Sequence, residues 1–413
     1  MADAARAPGS VLMTADTVGG VFSYAIELAR ALAARGVRTS LATLGGPLSA
    51  PQREAAGRVP GLAVFESSFR LEWMEDPWDD VARAGDWLLE LEERLRPALI
   101  HLNGYAHGAL DFRAPKLVVA HSCVLSWWAA VLGGEAPPRY DRYRREVARG
   151  LAAASAVVAP TRAMLDALLR HHGPLPAGSR AEVISNAADP ARFAPRPKEE
   201  LVLAVGRLWD QAKNIEALGE VAPHLPWPIQ VAGSDVRPGG GASAIPLPSL
   251  ERLGVLSPSA VAAALGRASI YAHPARYEPF GLSVLEAALS GCALVLGDIP
   301  SLREVWGDAA LYVDPGDTEA LRRALRTLID APGARREMAA RARARALGFS
   351  PRRMARGYLR LYGELLGRGR SEQRSPAREA RSPARDAAVV LERRGTSGFA
   401  AALPAKKAST PCA

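Results

Sequence analysis

With 413 residues, 48% of them hydrophobic and 23% charged, and a mean hydropathy of -0.02, the chain is a globular protein with room for two domains and large cores. Its formal net charge of +9 would suit a nucleic-acid binder. From Arg368 onward, however, eight Arg and two Lys stand against three Glu and one Asp, so six of the nine charges lie in the tail and no nucleic-acid partner is expected.

The scattered Cys123, Cys292 and Cys412 suggest neither a disulfide framework nor a zinc site. No run of about 18 apolar residues is present, and residues 1–9 lack a signal-peptide core, so a cytoplasmic location is expected. The bias toward Ala, Arg and Gly suits a GC-rich bacterial genome.

Taken in order, residues 10–15 (SVLMTA) read as a strand and 24–34 as a helix. Between them Gly19 and Gly20 let the backbone approach a ligand, or simply turn tightly, because no Cβ stands in the way. Residues 37–43, 62–65, 99–103, 117–121 and 156–159 read as further strands, with helices over 78–95 and 140–153, the alternation of a doubly wound parallel sheet. Ligands of such sheets sit beyond the carboxyl ends of the strands, which singles out His121, after LVVA, and the His101, Asn103, His107 group. No carboxylate stands beside that group to make it a metal motif. Trp127 and Trp128 are expected in a loop after His121, where they would stack on an acceptor or pack between loop and domain. Five arginines within 139–149 could meet an anionic membrane, but Asp141 and Glu146 dilute them and favour a solvated face.

Pro195, Pro197 and the charged residues 198–200 read as a hinge into a second α/β domain. It opens on a strand at 201–205, then Arg207 and Lys213 on a loop where two cations could neutralise a diphosphate. A strand over 229–233 leads to a short Gly/Pro-rich connection and a helix over 256–266. An apolar run then ends at Ala272, and Glu278 precedes a helix over 281–290 that carries Glu286. The start of that helix, Gly281, Leu282 and Ser283, offers backbone donors to an anion, with one carboxylate on either side to accept from sugar hydroxyls. A strand over 293–296 and helices over 318–329, 334–347 and 350–366 complete the fold, the last with an N-capping Ser350-Pro351 pair. The tail, with its tandem RSPAREA and RSPARDA, is expected to be disordered.

EPFGLSVLE (278–286) resembles the E-x7-E signature of the retaining family 4 glycosyltransferases, and GRLWDQAKN (206–214) resembles their second signature. NAADPARF (186–193) resembles the stretch that precedes their second domain. The resemblance covers roughly residues 10–366 and implies a GT-B fold, two Rossmann-like domains facing a cleft, with an acceptor-binding domain over 1–195, a nucleotide-sugar domain over 196–349, a crossover helix over 350–367 and a basic tail over 368–413. It implies retaining transfer of a hexose from a UDP- or GDP-sugar to a sugar or glycolipid acceptor, with no required cofactor or metal, in polysaccharide or glycoconjugate synthesis.

By the same resemblance Gly19 and Gly20 face the donor phosphates, Arg207 and Lys213 bind them, Glu278 orients the donor sugar, Glu286 takes the ribose, and His121 lies beside the sugar. Phe280, Gly281, Leu282 and Ser283 complete the donor site; Asp16, Asn103, Trp127 and Trp128 are the acceptor-side candidates. Peripheral contact with the inner face of a membrane is a further implication. Thr17 stands where bacterial glycogen synthases carry a Lys, which argues against an ADP-glucose synthase. The competing readings are a GT-B sugar epimerase, which needs acid/base carboxylates not evident here, and a non-catalytic nucleotide-sugar-binding partner.

Overall fold

The computed structural model describes residues 8–236 and 249–373, with side chains up to Gly367. A first sheet holds seven strands, β1 (Ser10–Asp16), β2 (Arg38–Leu44), β3 (Leu62–Glu66), β4 (Leu99–Leu102), β5 (Lys116–Val119), β6 (Ala156–Ala159) and β7 (Arg180–Val183), ordered 3-2-1-4-5-6-7. The second holds six, β8 (Glu199–Val205), β9 (Ile229–Ala232), β10 (Glu251–Gly254), β11 (Ala268–His273), β12 (Ala293–Gly297) and β13 (Leu311–Val313), ordered 10-9-8-11-12-13. The strand pairings described are all parallel, and helices cover both faces of each sheet. This is why the central strands β1 and β11 read as unbroken apolar runs: both faces are buried.

The strands expected from sequence are present with ends shifted by no more than two residues. Three differences bear on the site. Trp127 and Trp128 lie on a helix, Val124–Val131, rather than in a loop. The connection after β9 contains the short edge strand β10, while residues 237–248 of it lie outside the described residues. The last helix runs Pro351–Gln373, past its expected end at 367; the rest of the tail and its repeat lie outside the described residues.

That helix buries Met354, Tyr358, Leu361, Tyr362 and Leu365 in one core with β1 and the Gly20–Ala33 helix, so the C-terminal segment braces the first domain. Arg180 and Arg360 pair with Glu364 and Glu182 across this seam. The two domains also meet directly. Glu304 of the second accepts the N–H groups of Arg162 (2.7 Å) and Ala163 (2.8 Å), the first amides of the Arg162–His172 helix of the first. Beside it Thr161 caps that helix and donates to the Pro279 carbonyl at 2.9 Å. Glu304 is exposed, so the latch is worth about 1 kcal/mol. Glu304→Ala is expected to raise the radius of gyration in X-ray scattering while circular dichroism stays unchanged; an unaltered scattering curve would show that the latch does not hold the domains together.

Candidate active site

In each sheet the order reverses once, between β1 and β4 and between β8 and β11. At such a switch point the loops leave in opposite directions and open a crevice beyond the strand ends. The two crevices face one another across a single cleft of about 440 Å³.

On the second domain's side, β8 ends at Val205 and the chain turns through Arg207 to Asn214, whose φ of 54° lies in the left-handed region. The Asn214 amide pays for that turn by donating to the carbonyls of Pro274 and Pro315, both at 2.9 Å. This fixes Lys213 immediately before it. Lys213 Nζ donates to Glu278 Oε2 at 2.8 Å, and His273, the last residue of β11, donates from Nε2 to the same oxygen at 3.0 Å. Burial alone would raise the Glu278 carboxyl, but Lys213 and His273 together outweigh it and hold the group well below the usual carboxylate range. The other oxygen, Oε1, accepts the Gly281 N–H at 3.0 Å. The donor expected to be free at Gly281 is therefore taken by Glu278; the Leu282–Leu289 helix still opens on the amides of Leu282 and Ser283. Gly281 needs to be glycine, since its φ is 86° and a Cβ would sit 3.0 Å from Val284 Cγ2.

Arg207 donates to Asp210 Oδ2 at 2.9 Å, and Asp210 Oδ1 accepts both the Ala212 amide (3.0 Å) and the Trp127 indole N–H (3.1 Å) from the first domain. Glu286 stands half-buried on the same wall as Glu278. Burial raises its carboxyl to about 7, against the opposing pull of Arg192 and with a further push from Glu27.

On the first domain's side, Asp16 Oδ1 accepts the amides of Val18 (3.1 Å) and Gly19 (2.8 Å) and so shapes the glycine loop. Burial raises the Asp16 carboxyl, countered by the Gly19 amide and by Arg207. A Cβ on Gly19 would lie 3.5 Å from Arg207 Nη1, and one on Gly20 3.5 Å from Leu282 Cδ1, so the loop packs directly on the other domain. His121 donates from Nε2 to Asn103 Oδ1 at 2.8 Å and is kept neutral by burial, which holds it down to about 3.

The cleft gathers Asp16, Gly19, Gly20, His121, Trp127, Arg207, Lys213, Glu278, Glu286 and the 280–283 segment. Asn103 lines a smaller adjoining cavity with Glu72 and Trp73, and His121 and Asp16 border both. Trp128 borders neither; its ring packs at a tilt against Tyr140 and lies under Arg139, because helical spacing turns it away from Trp127. Two residues escaped the sequence reading. His273 was legible as a strand-end residue followed by proline, and Asp210 lay unremarked inside a motif already in view. Among the described residues no group of three or more His, Cys, Asp or Glu could hold a metal ion.

Comparison with known proteins gives the following. Residues 18–192 match the family described as Glycosyltransferase Family 4, and residues 185–345 the family described as Glycosyl transferases group 1. A D-inositol 3-phosphate glycosyltransferase of Rhodococcus opacus is 27% identical over 387 residues, covering 83% of this chain and 85% of its own length. A glycogen synthase of Mycobacterium tuberculosis is 38% identical over 95 residues, 22% of this chain and 23% of its own. Among solved structures, a sucrose-phosphate synthase from Thermosynechococcus elongatus superimposes with a TM-score of 0.70 at 19% identity, covering 87% of this chain and 99% of the other. Anabaena HepE in complex with UDP and glucose superimposes with a TM-score of 0.66 at 16% identity, covering 86% and 99%.

Proposed function

Since the chain belongs to the GT-B glycosyltransferases, with a family 4 first domain and a group 1 second domain, and uses a nucleotide sugar, we propose that it moves a hexose from a UDP-sugar to an acceptor hydroxyl with retention at the anomeric carbon. The observation that carries this reading is the facing of two elements across the cleft. The glycine loop at Gly19 and Gly20 approaches Arg207 and the start of the Leu282–Leu289 helix, so a diphosphate between them would meet backbone donors and two side-chain cations, Arg207 and Lys213.

In this reading Arg207, Lys213 and the helix start stabilise the departing diphosphate, Glu278 orients the donor sugar, and Glu286 accepts from the ribose hydroxyls. The bond from the anomeric carbon to the phosphate oxygen breaks, the bond to the acceptor oxygen forms on the same face, and the leaving phosphate takes the acceptor proton. Uracil is the base proposed, with Ser234, Val255, Leu256 and Val261 of the cleft lining as the residues that would take it. That HepE was captured with UDP agrees with this choice.

The acceptor would enter through the smaller cavity beside Asp16, Asn103 and His121, whose carboxylates and amide suit a polyhydroxylated molecule. We place the activity in polysaccharide or glycolipid synthesis in the cytoplasm.

The test is thermal unfolding with UDP-, GDP- and ADP-sugars. A donor at a hundred times its Kd adds about 2.7 kcal/mol to stability, so the UDP-sugar is expected to raise the midpoint and the other two to leave it in place. A shift with the GDP-sugar alone would overturn the base assignment, and no shift with any of the three would overturn the transferase reading.

A further inference from the structure

A buried polar chain runs from the C-terminal helix to His121. Tyr362 Oη lies 2.6 Å from His101 Nδ1; His101 Nε2 lies 3.2 Å from both Asn103 Oδ1 and Tyr24 Oη; and Asn103 Oδ1 meets His121 Nε2 at 2.8 Å. His101 is wholly buried, and Tyr362 is buried on the helix that ends the described chain.

The proton positions follow from what each group can do. Asn103 places its other side-chain atom 2.6 Å from the Thr14 backbone carbonyl, which only accepts, so that atom is the amide nitrogen and the one facing the two imidazoles is the oxygen. The Asn103 main-chain N–H, donating to Thr14 Oγ1 at 2.8 Å, holds this residue in place. An amide oxygen only accepts as well, so both imidazoles face it with N–H. For neutral His101 a proton on Nε2 leaves Nδ1 bare, and Tyr362 supplies the hydrogen there. The reverse assignment would press a bare Nε2 against Asn103 Oδ1 at 3.2 Å, lone pair against lone pair. For His121 a proton on Nε2 leaves Nδ1 as its acceptor.

We infer that Asn103, oriented by Thr14, is a positioning residue that locks His121 in its Nε2–H tautomer, so that the ring presents a bare Nδ1 to a substrate hydroxyl in the cleft. Because Tyr362 belongs to the helix packed across the first domain, the seating of that helix is coupled to the tautomer of His101, which shares the Asn103 oxygen with His121. The contact with a substrate hydroxyl rests on the transferase reading; the tautomer lock does not.

The experiment is histidine side-chain nitrogen NMR on the full chain with 15N-labelled histidine, in which only seven imidazoles report. His121 is assigned by its loss in His121→Gln. The expected result is a single Nε2–H tautomer for His121 in the wild type, replaced by a tautomer mixture in Asn103→Ala and kept in Tyr362→Phe, where the His101 signal moves instead. A mixed or Nδ1–H wild-type signal, or one unmoved in a folded Asn103→Ala, overturns the lock. With the UDP-sugar, Asn103→Ala is expected to lower kcat several-fold and Tyr362→Phe to leave it in place. A confirmed tautomer with kcat unchanged in Asn103→Ala would retain the lock and remove its role in the reaction, whereas absence of UDP-sugar binding in the wild type would count against the transferase reading alone.

Discussion

Lys213→Ala is expected to lower turnover by about 10²- to 10³-fold, the usual loss when a preorganised charge facing the developing anion is removed. Its side chain is only 13% exposed and its ammonium is held 2.8 Å from a carboxylate whose side chain is 12% exposed, so it is placed before any ligand arrives and little reorganisation accompanies the reaction. The substitution has a second consequence. It strips Glu278 of its main cationic partner, leaving His273 and the Gly281 amide, and removing one member of a buried pair costs about 3–5 kcal/mol.

The two effects separate in the double variant. Lys213→Ala with Glu278→Ala is expected to melt above the single Lys213→Ala, because no orphaned carboxylate remains, yet to be no more active. Turnover within tenfold of wild type in the single variant would remove Lys213 from the proposed chemistry. An equal melting midpoint for the single and double variants would show that Glu278 finds another partner.

Glu286→Gln is expected to change stability and donor binding in opposite directions, each with its own pH dependence. The Glu286 carboxyl, raised by burial to about 7 from an ordinary 4.5, prefers its neutral form in the folded state. Below 4.5 it is protonated whether the chain is folded or not and favours neither state. Between 4.5 and 7 the unfolded chain ionises first, and stability falls as pH rises; above 7 the full penalty is present. An isosteric neutral amide escapes that penalty. The variant should therefore melt a few degrees above wild type at pH 8.5 and together with it near pH 4.5, a gain of about 2 kcal/mol once the side chain's partial exposure is discounted.

Donor binding runs the other way. Ribose hydroxyls donate best to a carboxylate, so wild-type affinity should rise with pH through about 7 and the glutamine variant should stay flat, about 10- to 100-fold weaker at pH 8.5, the worth of a charge-assisted hydrogen bond. Calorimetric titration with the UDP-sugar at pH 6.0 and 8.5 measures this. A pH-independent wild type would mean that Glu286 does not titrate in the cleft.

Much of the molecule was open to reading from the chain alone. Most strands of both sheets and the bracing helix follow from local features: unbroken apolar runs for strands covered on both faces, helical spacing in the last helix, and Ser350-Pro351 at its start; the short, half-exposed β7, β10 and β13 carry no such run and were not read. The Glu278 and Glu286 pair and the Arg207 and Lys213 pair were visible because each sits in a short motif at a strand end, where a parallel sheet must put its ligands. Local pattern misled at Trp127 and Trp128: a short apolar run reads as loop or helix with equal ease, and only its packing decided for a helix that sends one ring to Asp210 and the other to Tyr140.

What tertiary structure alone decided are relations between residues far apart in the chain. Glu278 loses its expected free neighbour because its own carboxylate folds back on the Gly281 amide, and it ionises because Lys213, 65 residues away, is brought to it. Glu286, on the helix that follows, has among the described residues only the pull of Arg192 against its burial, so the same kind of side chain keeps its proton longer. His121 takes its tautomer from Asn103, itself oriented by Thr14 89 residues earlier, and His101 takes its own from Tyr362, which lies 261 residues beyond it. Sequence specifies periodicity and turn chemistry, which act over a few residues; charge state and proton position depend on desolvation and on partners within about 3 Å, and those exist only once the two sheets and the last helix have closed on one another.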